Sequence, residues 1–174
     1  MKAKEFWMKF QKMIENRNNF KLINVENNKV SDVLLEVMEI DQNMRKKWAK
    51  IDFKKDYENL IKVVSILENN KKYLLKEASN DDIKSIWLSI QHWPLKFQKK
   101  YLDFFKDMSE KWKIPKNYIA MTIDRICLNE NKPQIYWTQY VIKNGKYSLY
   151  DVENMENIDE LRKSMNLWKL ELQN

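Results

Sequence analysis

An aspartate and an arginine, Asp41 and Arg45, sit four residues apart within an otherwise apolar helical stripe. Read at helical spacing, Ser31 to Trp48 lines up Leu34, Val37, Met38, Met44 and Trp48, and the two charges fall at the centre of that face. A charge where a core should be is costly unless it is paired. Two readings follow. The pair is a buried ion bridge that fixes how this helix docks, or it is the polar floor of a ligand pocket, with Gln42 beside it.

Gln91 and His92 close a second helix just before Pro94. His92 is the only histidine of the chain, and imidazole is the side chain best suited to trading protons near neutral pH. A regular helix puts Gln91 at the edge of an Ile83, Trp87, Ile90 stripe and turns His92 the other way, beside Ser85, Leu88 and Ser89. His92 then either ends the helix by bonding local carbonyls or serves as a general acid/base. Asp124 and Arg125 are neighbours, so on a helix they point about 100° apart. In a chain with 28 Lys and four Arg, an arginine suggests a need for its planar fork. Arg45, Arg125 and Arg162 all stand in such a context. Gln134, Thr138 and Gln139 interrupt an aromatic run, and Thr138 is expected opposite Asp151 across a hairpin.

The elements that would position these residues read as mainly α, about six helices, with one β-hairpin in the C-terminal half. Helical spacing predicts helices over 3–17, 31–48, 54–68 (Tyr57, Leu60, Ile61, Val64, Leu67) and 80–93. Ser31 is expected to cap the second of these, and Ser79 with Asp82 resembles a capping box for the fourth. The clearest stripe is Phe97, Tyr101, Phe104, Met108 and Trp112 over 95–112. Pro115 precedes a short run over 117–128 that reads as a helix with Ile119, Ile123 and Ile126 inward, with a strand as the alternative. The period then changes to two. Asn144-Gly145 is a strong hairpin signal, because both central positions of a type I′ turn need positive φ. It sets strands over 134–143 and 146–151, with Ile142 opposite Tyr147 and Tyr140 opposite Leu149. A last helix is expected from Asn157, capped with Glu160, on a stripe of Ile158, Leu161, Met165 and Trp168. Residues 1–30 read as an N-terminal helix and polar loop, and 31–174 as one globular domain.

Composition excludes several classes. One Gly in 174 residues rules out glycine-rich phosphate loops and the dinucleotide fingerprint. One His and one Cys rule out an ordinary zinc site within a single chain, and no intrachain disulfide is possible. No metal or cofactor is expected. The net charge of +7 rests on lysine. Base readers lean on arginine forks, so a solvated lysine surface is favoured over nucleic acid. Residues 1–10 lack an uninterrupted apolar core of a signal peptide, and no apolar run approaches the ~20 residues of a membrane span. The expectation is a soluble cytoplasmic protein of unspecified oligomeric state.

Taken in order, Asp41-Gln42 with Arg45, Trp87 with Gln91-His92, Phe97-Gln98, Asp124-Arg125 and Gln134-x-Tyr136-x-Thr138-Gln139, then Asp151 and Arg162, resemble a widespread bacterial domain family of unknown function. Its pattern is DQ-x-x-R, W-x-x-x-QH, FQ, DR, Q-x-YGTQ and a final Asp and Arg. The resemblance spans about residues 31–170 and implies site positions rather than an activity. Two departures stand out. Trp137 replaces the Gly of the YGTQ motif, and a Gly-Trp-Pro expected near residue 70 is missing. The expected function is a polar cleft binding a small anionic or amide-bearing ligand, with Asp41, Gln42, Arg45, Gln91, Asp124, Arg125, Gln134, Thr138, Gln139 and Arg162 in contact. The alternatives are a hydrolase or transferase using His92 as acid/base, and a protein-interaction or toxin/immunity-type module.

Overall fold

A computed structural model of the chain describes residues 21–46, 52–143 and 146–170. The fold is mainly α with one hairpin, as the sequence implies: seven α-helices and one strand pair among the described residues. The helix expected over 3–17, the Trp48 end of the 31–48 stripe and the Asn144-Gly145 turn lie outside those residues. The chain divides into two compact units, Met1–Pro94 and Leu95–Asn174.

In the first unit a single 3-10 turn, Asn27–Lys29, leads into α1 (Val30–Met44). Its buried residues are Val30, Leu34, Val37, Asp41 and Met44, so Asp41 occupies a core position of the stripe. Helix α1 starts one residue before Ser31 and carries no side-chain cap. The expected Ser31 cap is replaced by a tertiary bond, Ser31 Oγ to Asp82 Oδ2 at 3.0 Å. Helix α2 (Phe53–Asn69) is capped by Asp52, whose carboxylate accepts from the Lys54 and Lys55 amides. Its inward face is turned from the expected one: Asp56, Asn59, Val63 and Ile66 join Leu60, Val64 and Leu67, while Tyr57 and Ile61 are only half-buried. Asn70 ends α2 and begins the short α3 (Lys71–Lys76). Helix α4 (Asn80–Gln91) opens on the expected capping box, Ser79 with Asp82.

Helix α1 packs on both α2 and α4. The α4 face carrying Ser85 and Ser89 is therefore buried, as is the Ile83, Ile86, Ile90 face. Serines are small enough to let two helices approach closely, and their hydroxyls bond local carbonyls at Asp81 and Ser85. This closeness brings the end of α4 to Asp41.

In the second unit α5 (Leu95–Glu110) packs on α6 (Lys116–Asn129). Phe97, Tyr101, Phe105 and Met108 are its buried apolar stripe. Phe104 is half-buried, and Trp112 stands beyond the helix end at 83% exposed, so the expected stripe drifts off the core face. Ile119 and Ile126 of α6 are buried, with Thr122 and Asp124 between them. Strands β1 (Tyr140–Lys143) and β2 (Lys146–Leu149) pair antiparallel in the expected register, Ile142 opposite Tyr147 and Tyr140 opposite Leu149. Both are shorter than expected. Thr138 precedes the ladder and does not pair with Asp151. The last helix, α7 (Ile158–Ser164), has no side-chain cap at Asn157. Trp168, expected on its core stripe, lies past it and is 90% exposed.

Three helices end in the same way. The amides of Lys113, Lys132 and Leu167 return to the carbonyls of Met108, Cys127 and Arg162, five residues back. Trp112, Asn131 and Asn166 sit there at φ of 59°, 57° and 55°. This is the Schellman arrangement, which usually takes Gly. A chain with a single Gly uses Asn twice and Trp once.

Candidate functional site

The first unit gathers four ionisable side chains from three elements. Asp41 comes from the last turn of α1 and Arg45 from the residue ending it. Asp56 comes from the first turn of α2, and His92 from the residue ending α4. Asp41 is 2% exposed and fully engaged. Its Oδ1 is ion-paired to Arg45 Nη1 at 2.7 Å, Nη1 also donating to the Asp41 carbonyl at 3.2 Å, and its Oδ2 accepts from Gln42 Nε2 at 3.0 Å. His92 Nδ1 lies 3.3 and 3.1 Å from the two oxygens. A carboxylate against Nδ1 holds the proton on that nitrogen, as the middle member of a catalytic triad is held. Among the described residues no hydrogen bond engages Nε2, and the imidazole is 24% exposed. One ring nitrogen is thus anchored on a buried carboxylate, on a ring that is part-exposed.

Arg45 also forks to a second carboxylate, with Nη2 3.2 Å from Asp56 Oδ1. Asp56 is 1% exposed. Burial pushes its carboxyl above the usual carboxylate range, Arg45 opposes that rise, and Asp41 adds to it. Its Oδ2 is buried with no hydrogen-bond partner among the described residues. The sequence reading missed Asp56. It stands one helical turn before Leu60 and two before Val63, so extending the α2 stripe backward, as the α1 stripe was read through Asp41, finds it.

The second unit gathers the other motif residues around one loop, residues 134–139. Asp124 is fully buried and accepts from the Ile135, Tyr136 and Thr138 amides and from Thr138 Oγ1, at 2.8, 2.9, 2.8 and 2.8 Å. Arg162 holds the opposite polarity of the same loop. Its guanidinium donates to the Tyr136 and Trp137 carbonyls at 2.8 and 3.1 Å, and to the Trp168 carbonyl at 2.8 Å. Gln134 pairs with the backbone of Gln139, Oε1 accepting at 2.7 Å and Nε2 donating at 3.1 Å. The Gln139 side chain reaches Arg125, whose Nη2 donates to it at 3.0 Å. Burial lowers both Arg125 and Arg162 from the usual guanidinium range. Burial, and then Asp124, raise Tyr136 and the Cys127 thiol.

Trp137 lies at the turn of this loop with φ of 57°, and its Nε1 donates to the Tyr150 carbonyl at 2.8 Å. A left-handed backbone position of this kind ordinarily favours glycine. This chain places a tryptophan there and ties its ring down.

The structure thus brings Asp41, Gln42, Arg45 and His92 together in one unit, and Asp124, Arg125, Gln134, Thr138, Gln139 and Arg162 together in the other. Gln91 is buried at the end of α4. No group of three metal-ligating side chains suited to an ion occurs among the described residues. No helix there is long and apolar enough to cross a membrane. Comparison with family models, curated proteins and solved structures finds no match to this chain.

Proposed function

We propose that the protein binds a small neutral, amide-bearing ligand at His92 and uses the imidazole there as a general acid/base. The observation that carries this is His92 Nδ1 held against the buried Asp41 carboxylate on an imidazole that is itself part-exposed. The class of reaction suited to such a pair is hydrolysis or group transfer. In it Nε2 takes a proton from water or a hydroxyl and returns it to a leaving group.

Charge argues for a neutral ligand over an anionic one. One guanidinium already faces two carboxylates, so Arg45 has little positive field left to offer. The second unit's motif residues play a supporting part in this reading. Asp124 and Arg162 spend their bonding capacity on the backbone of one loop. That same saturation favours the interaction-module alternative for the second unit, whose surface exposes Tyr140, Tyr150 and Trp168.

A thermal-shift screen of small amides, nucleosides and inorganic anions tests the site. His92→Gln should abolish the stabilisation given by the best amide while shifting the unliganded melting point little. Because the chain has one histidine, diethyl pyrocarbonate at the imidazole should give a single modification event that the bound ligand blocks. Equal ligand stabilisation in the wild type and His92→Gln, or best binding by anions, would overturn the reading.

A further inference from the structure

We propose that Asp56 is a positioning residue for His92: it competes with Asp41 for the Arg45 guanidinium and so sets how firmly Asp41 holds the charged imidazole. This rests on the reading of His92 as the working group of the site. The geometry is a branched chain. Arg45 gives Nη1 to Asp41 Oδ1 at 2.7 Å and Nη2 to Asp56 Oδ1 at 3.2 Å. Asp41 in turn gives both oxygens to His92. Two buried carboxylates therefore share one cation, and the imidazole hangs on only one of them.

The groups facing one another come from all three packed elements. Arg45, at the end of α1, touches Asp56, while Asp41 of α1 and His92 at the end of α4 act on it through their charges. Asp56 has a weak hold on the cluster. Among the described residues one of its oxygens has no hydrogen-bond partner and the other has one contact, longer than Asp41's to Arg45, and burial disfavours its charged form. Burial favours its neutral form and Arg45 its charged form, so the two are set against each other at this group. With Asp56 ionised, part of the Arg45 charge is neutralised there, and the field of Asp41 on the imidazole is less cancelled. The charged imidazole is then held more firmly. With Asp56 neutral, Arg45 cancels Asp41 and adds its own repulsion, and His92 releases its proton more readily. Both effects have the same sign.

The sole imidazole gives a direct readout, because its ring signals in an NMR pH titration belong to His92 alone. Asp56→Asn keeps the size and the acceptor oxygen and removes the charge. We expect the His92 midpoint to fall in Asp56→Asn. The wild-type curve should also carry a second inflection, from Asp56, that the variant lacks. An unchanged midpoint in the folded variant overturns the proposal. Should the variant not fold, a wild-type curve with no second inflection overturns it alone. The ligand screen is separate. A failed screen would remove the site reading and leave the midpoint shift in place, whereas an unchanged midpoint with ligand still bound would remove only the role of Asp56.

Discussion

At the scale of single residues, Arg45 is the member of its cluster that the fold can least spare. It is 15% exposed and stands between Asp41 at 2% and Asp56 at 1%. Arg45→Met would leave two buried carboxylates facing each other without a counter-charge. Removing one partner of a buried pair costs about 3–5 kcal/mol. Asp41→Asn should cost clearly less, because Arg45 keeps Asp56. Chemical denaturation at neutral pH checks the order, and an Asp41→Asn loss equal to or above that of Arg45→Met would refute it. Sequence spacing alone makes Asp41 and Arg45 visible, because charges inside an apolar stripe have few explanations. It hides Asp56, whose stripe begins with a carboxylate and so reads as a solvated helix start. It also leaves open whether His92 turns to the solvent or to α1. The serines that let α4 approach α1 have no hydrophobic signal of their own.

At the scale of elements, the helices follow from apolar spacing and from their punctuation at Ser79, Asn70, Pro94 and Pro115. The loops depend on something else. The 134–139 loop reads as strand because Tyr136, Thr138 and Tyr140 alternate, yet the strand begins only at Tyr140. The loop amides are taken by Asp124 from α6, before any ladder can use them. A single buried carboxylate thus overrides β-propensity, which pattern reading cannot weigh. The left-handed positions give a sharp test. Ala and Gly both delete the ring of Trp137, but only Gly takes φ of 57° without steric cost. Trp137→Gly should therefore be more stable than Trp137→Ala by about 1 kcal/mol, the reverse of the order at an ordinary position. The same order should hold at Trp112, which is 83% exposed and so loses little packing in either variant. Thermal unfolding of the four variants decides it, and Ala above Gly at either site would mean that the backbone there does not need the left-handed region.

At the scale of the whole molecule, pH acts on stability through groups whose proton affinity changes on folding. Glu130 lies between Lys132 and Lys99, at 2.7 and 2.6 Å. Hydrogen bonds to those two lysines hold its carboxyl down to about 2, from an ordinary value of 4.5. Its contribution is present above 4.5 and is lost as pH falls through about 2. Asp56 has the opposite sign. Burial raises it in the fold, so its contribution is complete below its ordinary value of 3.8 and is lost as pH rises through the folded value. The two slopes overlap in the acid range and partly hide each other in the wild type. Separate variants should reveal them. Glu130→Gln should flatten the loss of stability between about pH 4.5 and pH 2, where its own shift acts. Asp56→Asn should leave that limb intact and flatten the decline that sets in above about pH 4. Denaturation midpoints of the three proteins, measured at half-unit steps from pH 2 to pH 7, separate these outcomes. Asp56→Asn should gain on the wild type as the pH climbs. A constant difference between the two across the range would show that Asp56 binds its proton no more tightly in the fold than in the unfolded chain.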